Sequence, residues 1–179
     1  MHARHRLVGL GICLLLAASA AAQRRHDPLT APEIDQLRDT ALEAEQRLKL
    51  YVKFARARLA SLEEKRNDPK ATDHGRLTHD GLEDFLAVYD ELNDNIDMYV
   101  DRKEDVRKPL KAVIEADTEF QAKLRALNSA AGVTPEETKQ YQFVLSNAIE
   151  TLDSSAEDHR KLMGEQEEAA KHKKKAKAQ

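Results

Sequence analysis

Of 179 residues, 34% are charged, 41% hydrophobic and 4% aromatic, with six Gly, five Pro, one Cys and no Trp. That length suits one domain, and so few turn-forming residues argue against a sandwich, barrel or doubly wound sheet, each needing a turn signal about every 8 to 12 residues. A few long helices remain as the expected architecture, and the formal charge of −3 has to be read segment by segment.

The chain begins with a basic stretch carrying Arg4 and Arg6, followed by the apolar run Leu7 to Ala20. This run is shorter than the roughly 20 residues of a membrane-spanning helix but suits a secretory leader core of about 7 to 15. Ala20-Ala21-Ala22 offers the small residues a signal peptidase needs, with Ala18-Ser19-Ala20 as second choice. Residues 1–22 are therefore expected to be a cleaved signal peptide and 23–30 a lead-in. The protein is expected to be exported, periplasmic or extracellular, with no transmembrane helix after cleavage. Cys13 leaves with the leader, so the mature chain has no disulfide, thiol nucleophile or thiolate metal site. Lys plus Arg falls from 29 to 27 against 32 acids. Five of those lysines lie in the last nine residues, so the body is strongly acidic and the end basic. Such a body lacks the basic face a nucleic-acid backbone requires.

The first helix is expected over about 31–66. Thr30 and Glu33 form a capping box, Leu29 and Ile34 a hydrophobic staple, and Asn67-Asp68-Pro69 a stop. The apolar places Ile34, Leu37, Ala41, Ala44, Leu48, Tyr51, Ala55 and Leu62 follow a three-four spacing, with Arg58 in a seam place beside Leu59. The second helix is expected over about 78–128, on a seam running from Leu82 to Leu127 in unbroken three-four steps. Lys103 and Asp117 are its two charged members. Pro109 lies inside this run, and because the phase continues across it the expectation is one long helix kinked there. Thr134, Pro135 and Glu137 open a third helix over about 135–170. Residues 171–179 are expected to be a basic disordered tail. Short loops make neighbours antiparallel, which gives an all-α, elongated, antiparallel three-helix bundle of coiled-coil type with a long central helix kinked at Pro109.

In that arrangement the central helix outruns its first neighbour beyond Pro109. Val113, Ile114, Phe120, Leu124 and Leu127, facing Tyr141 and Phe143, would then expose more apolar surface than a two-helix hairpin can bury, the mark of a contact site. Two charged rows add to this. Asp90, Asp94, Asp97 and Asp101 share the outward face of the second helix. Lys49, Lys53 and Arg56, joined by Arg47 and Arg58, share that of the first. Within one chain these rows meet through solvent, whereas between chains they match directly, so salt-sensitive self-association is expected.

Catalytic and cofactor signatures are missing. There is no Glu-x-x-His pair for a di-iron bundle, no Gly-x-Ser-x-Gly, no phosphate loop and no EF-hand loop. His74 and His79, five apart and flanked by Asp73 and Asp80, lack a helical ligand spacing. His159 is expected in a polar layer with Lys103 and Asp158. No catalytic residue, metal or cofactor is assigned. With its leader, Thr-initiated helices and low aromatic content, the chain resembles in outline the small exported helical-hairpin proteins of bacterial envelopes, some of which act as chaperones. The expected function is that of a non-enzymatic helical protein acting by protein–protein interaction or self-association in the cell envelope. A holdase-type chaperone and a weak metal-binding or metal-sequestering protein are the alternatives. The expected partners are a second copy or another protein, and the basic tail can contact anionic envelope components by electrostatics.

Overall fold

The computed structural model describes residues 27–40, 43–130 and 133–177. The expected leader, with its cleavage position, lies outside the described residues. The described chain is all-helical, in the order α1 (Ala31–Asp39), α2 (Ala44–Asn67), α3 (His74–Asp101), α4 (Arg107–Asn128) and α5 (Pro135–Lys177). Helix α2 packs against α3 and α4, and α5 packs against the same two, so the four long helices form a ring in the order α2, α3, α5, α4. The α3–α4 connection therefore crosses a diagonal of the bundle.

The expected starts of the first and third helices are present. The Glu33 carboxylate accepts from the Thr30 amide at 2.8 Å, and the Thr134 hydroxyl accepts from the Glu137 amide at 3.2 Å. The first helix, expected unbroken over 31–66, is instead two. Thr40 caps the end of α1, its hydroxyl donating to the Gln36 and Leu37 carbonyl oxygens. Arg47 donates to the same Leu37 oxygen at 2.8 Å. Helix α1 then lies antiparallel on α2. Arg58 holds its other end by donating to Glu33 at 2.6 Å and to the Pro28 carbonyl at 2.7 Å. Arg47 and Arg58, expected near an outward row, are thus clamps for α1.

The second correction concerns Pro109. There is no kinked 78–128 helix, because α3 ends at Asp101 and α4 starts at Arg107. The Lys103 amide bonds the Val100 carbonyl at 2.8 Å and the Glu104 amide bonds Tyr99 at 3.0 Å, with Lys103 at φ 61°. This paired pattern is the left-handed helix stop that glycine usually makes. A lysine makes it here, so the sequence carried no stop signal. Pro109 falls in the first turn of α4, where its missing N–H has no acceptor to lose. The first helical bond of α4 is made by the next residue, Leu110 to the Val106 carbonyl at 2.9 Å. At its other end α3 begins four residues earlier than expected, because the Asp73 side chain accepts from the Arg76 amide at 3.1 Å.

The longest element is α5, whose 43 residues extend about 64 Å at 1.5 Å per residue. Residues 171–177, five of them lysines and expected in a disordered tail, form its last two turns. Lysine has good intrinsic helix propensity, and cations at a helix C-terminus complement the macrodipole. The core runs the length of the bundle, and Phe85, Tyr89 and Phe120 meet at its middle. The Phe85–Phe120 rings lie edge to face at 5.4 Å, across the diagonal from α3 to α4. At the α2–α3 contact a Cβ on Gly81 would lie 3.0 Å from a Leu62 methyl, so the close approach of the two helices favours glycine there.

Candidate functional site: a polar groove between α3 and α5

Three helices bring polar side chains to one level of the core. Helix α3 supplies Tyr89 and, one turn on, Asn93. Helix α5 supplies Ser155 and, one turn on, His159, while α4 supplies Asp117. The Asp117 carboxylate is fully buried, and its two oxygens accept from different neighbours. The Tyr89 hydroxyl donates to Oδ1 at 2.8 Å and His159 Nδ1 lies 2.8 Å from Oδ2. A carboxylate oxygen accepts, so His159 Nδ1 is the donor of this bond. Burial, followed by the adjacent Asp117 charge, lifts the Tyr89 phenol far above its ordinary pKa and keeps it a donor.

The His159 side chain is 6% exposed. It lines a groove of about 340 Å³ between α3 and α5. Asn93, Ser155 and His159 line the groove with polar groups, Ile96, Val100 and Leu162 with apolar ones, and Asp97, Asp158, Lys161 and Glu165 with charges. Asn93 donates to Ser155 Oγ at 3.1 Å, but its own Oδ1 is buried with no donor. The groove thus sets apolar surface beside three carboxylates and one lysine.

The expected polar layer is corrected in its members. His159 is indeed buried, but its partner is Asp117, because the turn at 102–106 takes Lys103 out to solvent and Asp158 faces outward. The apolar set expected to lie uncovered is instead largely buried. Val113, Phe120, Leu124 and Tyr141 are core residues, and Ile114 and Leu127 pack partly buried against them. Helix α4, which the kinked-helix arrangement set against one neighbour, has both α2 and α5. Phe143 alone of that set is exposed, at 87%.

The charged rows lie on the surface as expected, in different electrostatic states. On α2, Lys49 pairs with Glu45 at 2.6 Å and Arg56 with Glu119 at 2.8 Å, while Lys53 reaches Gln36. On α3, Asp90, Asp94, Asp97 and Asp101 are all exposed and, among the described residues, none is in an ion pair. Partial burial, followed by the charges of Asp94 and Glu91, raises the Asp90 pKa. Among the described residues His74 joins no cluster of metal-ligating groups. The donor atoms of His79, Asp80 and Glu83 lie within 4.8 Å of one another on the outside of α3. Asp80 is already engaged by Arg76 at 3.6 Å.

Among the described residues no helix is long and apolar enough to cross a membrane. Compared with protein-family models, with curated proteins and with solved structures, the chain finds no match.

Proposed function

We propose that this is an exported, non-enzymatic helical protein that acts by binding basic protein surfaces, its own included, through the acidic face of α3 and the adjoining side of α5. The observation that carries the reading is the unpaired acidic row, Asp90 to Asp101, next to an open groove to which Asp158 and Glu165 add two more unpaired carboxylates. A negative surface of this kind draws in a cationic partner, and the attraction weakens as salt shortens the screening length. The basic row on α2 is the lesser candidate, because its charges are largely met within the chain. A holdase role finds little support, since the apolar residues that would hold clients are the protein's own core.

Sedimentation of the chain from residue 23 at about 0.05 M and 0.5 M salt tests the reading, because the Debye length falls from more than 10 Å to a few Å over that range. Association at low salt is expected, lost at high salt and lost with Asp90, Asp94, Asp97 and Asp101 all changed to Asn. Crosslinking in cells should capture a partner through the same face. A monomer at both salt concentrations with no crosslinked partner overturns the proposal.

A further inference from the structure

We propose that α1 is an exchangeable arm: in a dimer of this chain α1 and α2 run on as one helix, and each α1 docks on the α2 of the partner copy. The contact uses a face other than the acidic row and goes beyond the reading above. It starts from a conflict between local sequence and fold. Helix α1 ends at Asp39 and α2 begins at Ala44, yet the connecting Thr40-Ala41-Leu42-Glu43 holds neither Gly nor Pro. Three of those four, Ala, Leu and Glu, are good helix formers. The three-four spacing of Ile34, Leu37, Ala41, Ala44 and Leu48 runs straight through the break. At the start of α2 the N-cap residue, Glu43, makes no side-chain capping bond. Local preference thus favours one continuous helix, and the docking of α1 is what turns the chain back.

That docking is transferable. Among the described helices α1 packs only on α2. It has nine residues and one buried side chain, Leu37, and a helix shorter than about 12 residues is marginal alone in water. Its seat on α2 therefore holds it, and the seat is specific. Arg58 binds Glu33 and the Pro28 carbonyl, Lys53 reaches Gln36, and Arg47 binds the Leu37 carbonyl. These contacts run antiparallel, and the midpoint of each pair falls close to the break. Two continuous helices laid antiparallel about a two-fold axis at that midpoint restore all of them between copies. The contact is isologous and closes at two chains. In dilute solution the arm closes on its own α2, where its effective concentration is on the order of millimolar. Exchange gains at chain concentrations of that order, because only the exchanged form relieves the break.

The chain from residue 23 has no cysteine, so two single-cysteine variants, Gln36→Cys and Lys53→Cys, give the test. They are unfolded in urea and refolded together at about 1 mM. Dilution into 0.5 M salt then screens association through the acidic face, and a short bismaleimide joins neighbouring thiols. A closed chain of either kind has no second thiol to join, whereas exchange sets the thiol of one chain beside that of the other. The expected product is a covalent one-to-one heterodimer, at least about tenfold less abundant after refolding at about 10 μM. Either variant refolded alone should give none, since like positions in the dimer lie about 25 Å apart along the axis. Adding Glu43→Gly to both chains keeps an acceptable N-cap for the closed form but weakens a continuous helix, so it should cut the heterodimer at least about tenfold. If the mixture yields only monomer at the higher concentration, the exchange is wrong. If the heterodimer forms but Glu43→Gly leaves it unchanged, the continuous helix is wrong. Binding through the acidic face stands or falls separately, on the low-salt association of the unaltered chain.

Discussion

At the residue scale, the buried Asp117 carboxylate makes the largest demand on its neighbours. A charge taken out of water has to be met by donors with good geometry, and removing one partner of a buried pair costs about 3 to 5 kcal/mol because the other is left uncompensated. Asp117 has two such donors, Tyr89 and His159, from two different helices. His159→Leu is accordingly expected to lower stability by about 3 kcal/mol in urea unfolding. A change below about 0.5 kcal/mol, the ordinary range of a surface substitution, would mean that the pair does not hold the bundle. Asp117 and His159 were both legible in the sequence as polar residues on apolar seams. Their partnership was not, because it depends on where α3 stops and how far α5 slides along α4. Asn93 gave no signal at all, being one of many polar residues on α3, and only the loss of a donor at its Oδ1 singles it out.

At the element scale, the turn at Lys103 and the docking of α1 decide the architecture. A non-glycine residue at positive φ costs about 1 to 2 kcal/mol. Lys103→Gly is therefore expected to raise stability by about 1 kcal/mol, while Pro109→Ala should be nearly neutral, because a first-turn proline sacrifices no helical bond. A continuous kinked helix would reverse the two results, with Pro109→Ala gaining and Lys103→Gly losing stability, so thermal unfolding of the two variants separates the alternatives. Helix α1 is held on α2 by Glu33 and Arg58. Burial alone would raise the Glu33 pKa, but hydrogen bonds from Arg58 and Thr30 outweigh it and the net shift is downward. A carboxylate with a lowered folded pKa contributes its stability above the ordinary value, about 4.3, and loses it as pH falls through the folded one. Amide exchange in α1 should therefore rise ahead of the rest of the bundle as pH falls below about 4. Uniform exchange across α1 and α3 through that range would show that Glu33 does not hold the helix. The caps of α1 and α5 were readable in advance, since Thr30, Glu33, Thr134 and Glu137 act through neighbours three residues away. The end of α3 was not, because a left-handed stop made by lysine is indistinguishable in sequence from an exposed helical lysine.

At the scale of the whole molecule, a four-helix ring replaces the expected three-helix bundle, and surface becomes core. Phe120 touches Phe85 and Tyr89 at the centre of the bundle, whereas Phe143 is exposed. Phe120→Ala is expected to cost about 3 to 5 kcal/mol, and Phe143→Ala less than about 0.5 kcal/mol, measured by denaturant unfolding. Similar effects at the two positions would contradict the ring. The same ring leaves the acidic row of α3 outward and unpaired while α4 and α1 supply partners to the basic row of α2. By itself the sequence determined what local chemistry determines: the all-helical class, the two capped starts, the apolar seams and the segregation of acidic from basic segments. The tertiary structure alone decided which helix faces which, and with it the Tyr89–Asp117–His159 contact, the groove beside it and the burial of the apolar set on α4. These depend on one turn of about five residues and on the diagonal it takes, and neither periodicity nor composition encodes the direction in which a chain leaves a helix.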